Sequence, residues 1–355
     1  MKQAFIGILA GTVGILLSSC GGTTAREEIT ETEIRQEERV QRNIADTIAY
    51  TKSSVTIKNV HHRLYGISLP LAVAAAPFCK YKQRAIGFAP ELRKYGVYID
   101  FTVPNTPAAR HLQIRDRITH LNGFVINDNA SFGKVFVREV SKGDVTLTVE
   151  RAGETLEIPM SPFTKCATNT RYDPSSDPNA YVDGNGIVVV NGGLTGVLSD
   201  EELAVVIAHE IAHHSKRHVR KTQGNEIGGQ ALGIGTNILV KALVFGMTGM
   251  TPPRSIQQDR EFEAAAGRAL AHSYSQEFEF EADYVGLYIM ARAGMDITTA
   301  PNIWRKFAKL FPESIERSVA NTHPSSPERY VGLKKTVEEI KQKIANGEEL
   351  IPNPK

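Results

Sequence analysis

No stretch of this 355-residue chain is both long and apolar enough to read as an ordinary membrane-spanning helix. Cysteine is scarce: Cys20, Cys79 and Cys166 are the full set. None sits in a C-x-x-C or Cys/His spacing, which sets aside thiolate zinc fingers and dithiol redox motifs. Charge of one sign is also missing, since 41 Lys and Arg face 39 Asp and Glu for a net charge of +2. That argues against a polyanion partner, and no basic patch with interleaved aromatics supports nucleic-acid binding. No internal repeat of roughly 20 to 50 residues points to a solenoid or propeller. What is present is a globular composition, 41% hydrophobic and 23% charged, with room for two domains.

The strongest motif is His209-Glu210-Ile211-Ala212-His213, an H-E-x-x-H pattern. Residues four apart lie on one helix face, so His209 and His213 can offer two imidazole nitrogens to one zinc ion. Glu210 is one step round the helix, where it can act as general base on a water activated at that zinc. Three fixed residues can coincide by chance, so the context matters. Ser199-Asp200-Glu201-Glu202 has the form of a capping box, with Leu198 and Leu203 placed for a hydrophobic staple. Leu203, Val206, Ile207, Ile211 and Val219 add a helical apolar stripe. His214 and His218 form a second pair four apart, read as polar residues near the helix C-terminus.

A third ligand is expected in Gln276–Asp283, where Glu277, Glu279 and Glu281 compete. Glu279 and Asp283 share a face, which allows one to ligate while the other supports a liganding histidine. Glu277 and Glu281 share another face, and an acidic run is most often a solvated surface. Spacing alone does not choose among them. The helix is expected to stop at Gly294.

The set of motifs resembles peptidase family M48, gluzincin-type zinc metallopeptidases that include HtpX-like and BepA-like enzymes. The likeness rests on Asn179-Ala180-Tyr181, Gly186–Val190 with Gly193-Leu194, the H-E-x-x-H run with His218, Glu279 and Asp283, and His323-Pro324 with Arg329. It covers roughly residues 170–345. The resemblance implies Glu279 as third zinc ligand, with Asp283 behind it. It implies that the strand at Gly186–Val190 is an edge strand that holds extended substrate. It also brings His323 and Arg329 near the zinc, either stabilising an oxyanion or, for His323, filling the fourth zinc position in a latent state. Pro327 fits the first position of the helix that carries Arg329.

At the amino terminus, Ala4–Leu17 is apolar and Leu17-Ser18-Ser19-Cys20 resembles a bacterial lipobox. Cys20 is then the lipidated first residue, and Gly21 in place of aspartate favours the outer membrane, facing the periplasm. Cys79 and Cys166 are left as an even pair, consistent with one disulfide or with two buried thiols. Residues 26–54 are highly charged and read as a solvated helix or a tether. From Arg84 to Ser161 the pattern alternates in the manner of strands, with turns at Asn122-Gly123 and Ala152-Gly153 and short helices at Pro107–Leu112 and Asn129–Val140.

That order resembles a bacterial PDZ domain, on Thr106–Ala109, Arg115–Ile118, Leu121–Gly123 and Gly143–Leu147. Ile86, Gly87 and Phe88 then correspond to the loop that binds a peptide carboxylate. Two departures stand out: Arg115 occupies a usual glycine position, and Pro90 removes a donor from the strand expected to receive peptide. Residues 227–250 read as a buried or cleft-flanking helix pair and Thr251–Glu263 as a loop beside the cleft.

The expected fold is α+β: a β-rich PDZ-like domain followed by a mostly helical zincin-type metallopeptidase domain with a small sheet. The boundaries are a signal peptide at 1–19, an anchor and charged linker at 20–63, a PDZ-like domain at 64–165 and a metallopeptidase domain at 170–350. The expected function is zinc-dependent hydrolysis of misfolded or unassembled envelope proteins, with protein or peptide substrates, a membrane anchor and no nucleic acid. A chaperone or scaffold with a latent or structural zinc is the alternative.

Overall fold

The computed structural model describes residues 24–45, 57–94, 96–176, 178–222, 276–310, 312–315 and 327–354. Cys20, residues 227–263 and His323 lie outside this set. Two apolar cores are present among the described residues, one in a β-rich body and one in a helical body. The fold is therefore α+β, in the order expected.

In the β-rich body, strands β2 (Phe88–Arg93), β3 (Gly96–Thr102), β4 (Arg117–Leu121), β6 (Val145–Arg151) and β7 (Glu154–Met160) form an antiparallel sheet in the order β2-β3-β4-β6-β7. Strand β5 (Phe124–Val125) joins β4. The period-two pattern is the cause: Val97, Ile99, Ile118, Leu121, Leu147 and Val149 turn inward and are buried. Both turns behave as their sequences predict. Asn122 and Gly123 (φ +50° and +78°), and Ala152 and Gly153 (φ +51° and +87°), take the left-handed pairs that tight hairpins need. Helix α3 (Pro107–His111) is capped by Thr106, and α4 (Asn129–Lys142) by Asp128. Arg115, where glycine is usual, does adopt a glycine-like φ of +76°.

Helix α2 (Ile57–Ala74) packs in the helical body, with Leu64, Ile67 and Leu71 in its apolar core. A two-stranded ribbon lies outside both larger sheets. In it β1 (Lys82–Ala85) pairs with β8 (Phe163–Cys166), and a Cys79–Cys166 disulfide closes the base. Helix α2 touches both bodies: His62 meets Asp100 at 2.7 Å and stacks on Phe101, while Arg63 donates to Thr195 O and Leu198 O.

The helical body carries a small sheet of β9 (Asn169–Asp173), β10 (Ala180–Val182) and β11 (Ile187–Asn191), with a short helix α5 (Gly192–Thr195) after it. The order is β10-β11-β9. Strand β11 is thus central, antiparallel to β10 and parallel to β9, and the expected edge strand at Gly186–Val190 is corrected. Edge status is decided by what an upstream segment does, and β9 returns alongside it. Among the described residues the outer strand next to the motif helix is β10, which packs against that helix.

Four longer helices of this body lie among the described residues: α6 (Asp200–Lys216), α7 (Gln276–Arg292), α8 (Asn302–Leu310) and α9 (Pro327–Ala345). Helix α1 (Glu31–Ala45), expected to be solvated or a tether, is instead docked on α8 and α9. Its buried stripe is Ile34, Glu37 and Gln41. Glu37 accepts two hydrogen bonds from Arg305, at 2.8 and 2.7 Å, which offsets burial of its charge. The preceding segment is pinned to the C-terminus through Ala25 N–H and Asn353 O at 2.9 Å.

Candidate metal centre

Helix α6 begins as its sequence prescribes. Ser199 caps Glu202 N–H, and the Glu202 carboxylate reaches back to Ser199 N–H at 2.8 Å. Arg63 and Lys306 bind Asp200 and Glu202 in that first turn, so the helix start is held from two sides. Its buried face packs on α7, and Gly286 makes the close approach possible. A Cβ at Gly286 would lie 3.2 Å from His209 N and 3.3 Å from Ala208 C.

That crossing brings His209, His213 and Glu279 together, all buried. Nε2 of His209 and Nε2 of His213 lie 3.0 Å apart. Glu279 places Oε2 3.3 Å from the first and Oε1 3.3 Å from the second. Ligands about 2.1 Å from a tetrahedral zinc are separated by about 3.4 Å, so this donor set fits one zinc ion. Glu210 is buried beside the group and close enough to Arg329 to act on its charge.

Asp283 lies one turn past Glu279 on α7, and its Oδ1 is 3.0 Å from Nδ1 of His209. Arg329 donates to both carboxylate oxygens of Asp283, at 2.7 and 2.8 Å, and pairs with Glu279 at 2.8 Å. Its guanidinium lies 3.7 Å over the Trp304 ring. The structure thus gives Arg329 work other than that of an oxyanion-binding cation in the cleft: it is 1% exposed and clamps two carboxylates. Burial opposes the charge on Arg329, but Asp283 and Glu279 outweigh it and hold its pKa up. Burial likewise works against Asp283, and Arg329 and His209 still hold it low. Burial disfavours a charged His209, yet hydrogen bonding to Asp283 and Glu279 raises it to about 9 in the metal-free site. His213 goes the other way, held well below its usual value by burial with His209 and His218 beside it.

The reading of His214 and His218 as polar residues at a helix end is corrected for His218, which is fully buried. Arg217 has φ +61° and breaks the helix after Lys216, so His218 leaves the four-apart row. Its Nδ1 turns back to Nδ1 of His213 at 2.9 Å, and its Nε2 meets Glu281 at 2.9 Å. His214 faces the loop at Gly186 and stays partly exposed. Of the three competing glutamates, Glu279 and Glu281 are therefore both buried in this network, and the packing of α7 on α6 separates their roles. The motif spacing held no signal for His218 and Glu281 as partners.

In the β-rich body, Gly87 has φ +95° and a Cβ there would meet Thr106 at 2.4 Å. Ile86 and Phe88 on either side are buried, and Phe88 packs edge-on against Phe136 of α4 at 5.5 Å. Among the described residues strand β2 is a sheet edge, with a register shift between Ala89 and Pro90. No helix of the described residues is long and apolar enough to cross a membrane.

Comparison with known proteins gives two family matches, which overlap at residues 140–161. Residues 84–161 match the PDZ domain family. A solved HtrA3 PDZ domain bound to a phage-derived ligand is similar at 22% identity, over 24% of this chain and 88% of that one, with a TM-score of 0.21. The mitochondrial metalloendopeptidase OMA1 of Arabidopsis thaliana is 32% identical, covering 40% of this chain and 26% of that protein. The metalloprotease LoiP of Escherichia coli is 30% identical, covering 45% of this chain and 59% of that protein. This chain thus spans less than two thirds of the length of either metalloprotease relative. Residues 140–337, more than half of the chain, match peptidase family M48. With the buried His209–His213–Glu279 group inside the matched region, the chain belongs to peptidase family M48.

Proposed function

We propose that this chain is a zinc-dependent metalloendopeptidase acting on misfolded or unassembled proteins of the bacterial cell envelope. The observation that carries the reading is the buried His209–His213–Glu279 group with Glu210 next to His209 on the same helix. A bound zinc ion would supply a Lewis acid that lowers the pKa of a water and polarises a scissile carbonyl. Glu210 takes the water's proton and passes it to the leaving amine. Asp283 and Arg329 fix the ring of His209 and the carboxylate of Glu279. Strand β10, the outer strand of the described sheet beside α6, holds extended substrate in this reading. For His323, outside the described residues, the proposed role is oxyanion stabilisation or latency of the zinc site.

Lipidation at Cys20 would hold the protein on the periplasmic side of the outer membrane, and the Cys79–Cys166 bridge suits such an oxidising compartment. The β-rich domain, about 84–161, captures C-terminal peptides by strand addition at β2, with Ile86, Gly87 and Phe88 as the carboxylate loop. The positive φ at Gly87 and the edge position of β2 support this. The metallopeptidase body takes in residues 170–350 and helix α2.

Substitution Glu210→Gln tests the mechanism on the purified protein with an unfolded envelope protein as substrate. Zinc content should persist while cleavage falls by about 10²–10⁴-fold. His213→Ala should lose the zinc itself. Undiminished cleavage by Glu210→Gln refutes the mechanism, and full complementation of cells by the same variant favours the scaffold alternative.

A further inference from the structure

The two ligand histidines are braced from behind by different devices. Nδ1 of His209 faces a carboxylate directly, Asp283, at 3.0 Å. Nδ1 of His213 faces another imidazole, His218, at 2.9 Å. His218 in turn places Nε2 2.9 Å from Oε2 of Glu281. Oε1 of Glu281 accepts from the Thr24 hydroxyl at 3.4 Å and lies 3.7 Å from Nζ of Lys216. The His218 ring lies flat on Phe278, with centroids 4.3 Å apart.

The chemistry of this chain of contacts runs in one direction. A His213 that points the lone pair of Nε2 at the ligand centre carries its proton on Nδ1. Nδ1 of His218 must then accept that proton's hydrogen bond, which leaves the His218 proton on Nε2. There it donates to the Glu281 carboxylate. The opposite polarity would need a proton on Glu281. Every donor meets an acceptor, and the chain ends on an anion.

We propose that His218, backed by Glu281, is a positioning residue for His213, fixing the tautomer and ring orientation in which it binds zinc. This rests on the zinc-site reading above. It adds an imidazole relay that runs from α6 through His218, just past the end of that helix, to Glu281 on α7, with its far end at Thr24. The left-handed residue Arg217 is the device that aims it, because a continuous helix would carry His218 away from His213. Partners behind a metal-bound histidine raise its basicity and restrict its ring, and their loss weakens metal binding about 10–100-fold.

The test uses the purified full chain, with zinc affinity read by competition against a chromophoric chelator and the visible spectrum of the cobalt(II) form as a second readout. His218→Phe keeps a ring over Phe278 but removes the acceptor, and zinc binding should weaken about 10–100-fold with shifted cobalt bands. His218→Gln can still accept from His213 and donate to Glu281, so it should stay within about threefold of wild type. Glu281→Gln should fall between them. Wild-type zinc affinity in a folded His218→Phe overturns the relay. So does a His218→Gln variant as weak as His218→Phe, which would mark the position as structural only. Should His218→Phe fail to fold, an unchanged cobalt spectrum and zinc affinity in Glu281→Gln overturns it. Neither readout needs cleavage, so a zinc-loaded wild type that cuts nothing refutes the peptidase reading and leaves the relay standing.

Discussion

Replacing Arg329 by methionine removes a charge that three buried carboxylates share. Asp283 loses hydrogen bonds of 2.7 and 2.8 Å, and Glu279 loses an ion pair of 2.8 Å. Glu210, also buried, loses a nearby cation. Methionine fills much of the arginine's volume over Trp304, so the effect is chiefly electrostatic. In the metal-free protein His209, raised to about 9, is then the main compensating charge left at neutral pH. Breaking a buried pair from one side costs about 3–5 kcal/mol. For a body of this size that corresponds to a fall of roughly 10 °C in midpoint temperature. The measurement is urea unfolding of chelator-treated protein, which keeps loss of zinc out of the comparison. Arg329→Lys should recover less than half of the loss, because an ammonium cannot serve Asp283 and Glu279 in one plane. A loss below about 1 kcal/mol in Arg329→Met would show that the clamp does not hold the site together.

Three further outcomes are expected. Removing the Cys79–Cys166 bridge, by Cys79→Ala with Cys166→Ala, should destabilise the protein by about 4–5 kcal/mol on loop entropy for a separation of 87 residues, read from urea midpoints. Burial lowers Lys165 from its usual value of 10.5 to about 8, so its folded pKa lies below its unfolded one. The penalty is full below pH 8 and is relieved as pH rises towards 10.5. Wild type should therefore gain about 2 kcal/mol relative to Lys165→Met between pH 7.5 and 10, and a flat difference refutes this. Arg115→Gly relieves a left-handed backbone at φ +76° and should raise the unfolding free energy by about 0.5 kcal/mol, with no change in zinc content.

Much of the site was legible because its signals are local. The capping box at Ser199–Glu202 fixes where α6 starts, and from there helix periodicity alone puts His209 and His213 on one face. The hairpin turns at Asn122-Gly123 and Ala152-Gly153 were equally plain, since few residues tolerate positive φ. Gly294, at φ +72°, ends α7 where the pattern said it would. What could not be seen depends on partners distant in sequence. Helix α1 looked solvated because two of its three buried residues are polar, Glu37 and Gln41, and the charge of Glu37 is offset by Arg305, 268 residues away. Strand β11 was expected at an edge on family resemblance, and its parallel pairing with β9 has no local signature that could have corrected this.

The sequence by itself determined the reactive core: two imidazoles and a carboxylate base on one helical turn, and a second helix with Glu279 and Asp283 on a shared face. Helical period and capping are short-range and need no tertiary help. The tertiary structure decided which of the three glutamates meets the histidines, that Arg329 braces carboxylates, and that His218 stands behind His213. Those choices rest on the crossing of α6 and α7 at Gly286 and on the left-handed turn at Arg217. The reason is physical: a buried charge is tolerated only where a partner is placed against it, and placement across 46 to 74 residues of chain is a property of packing.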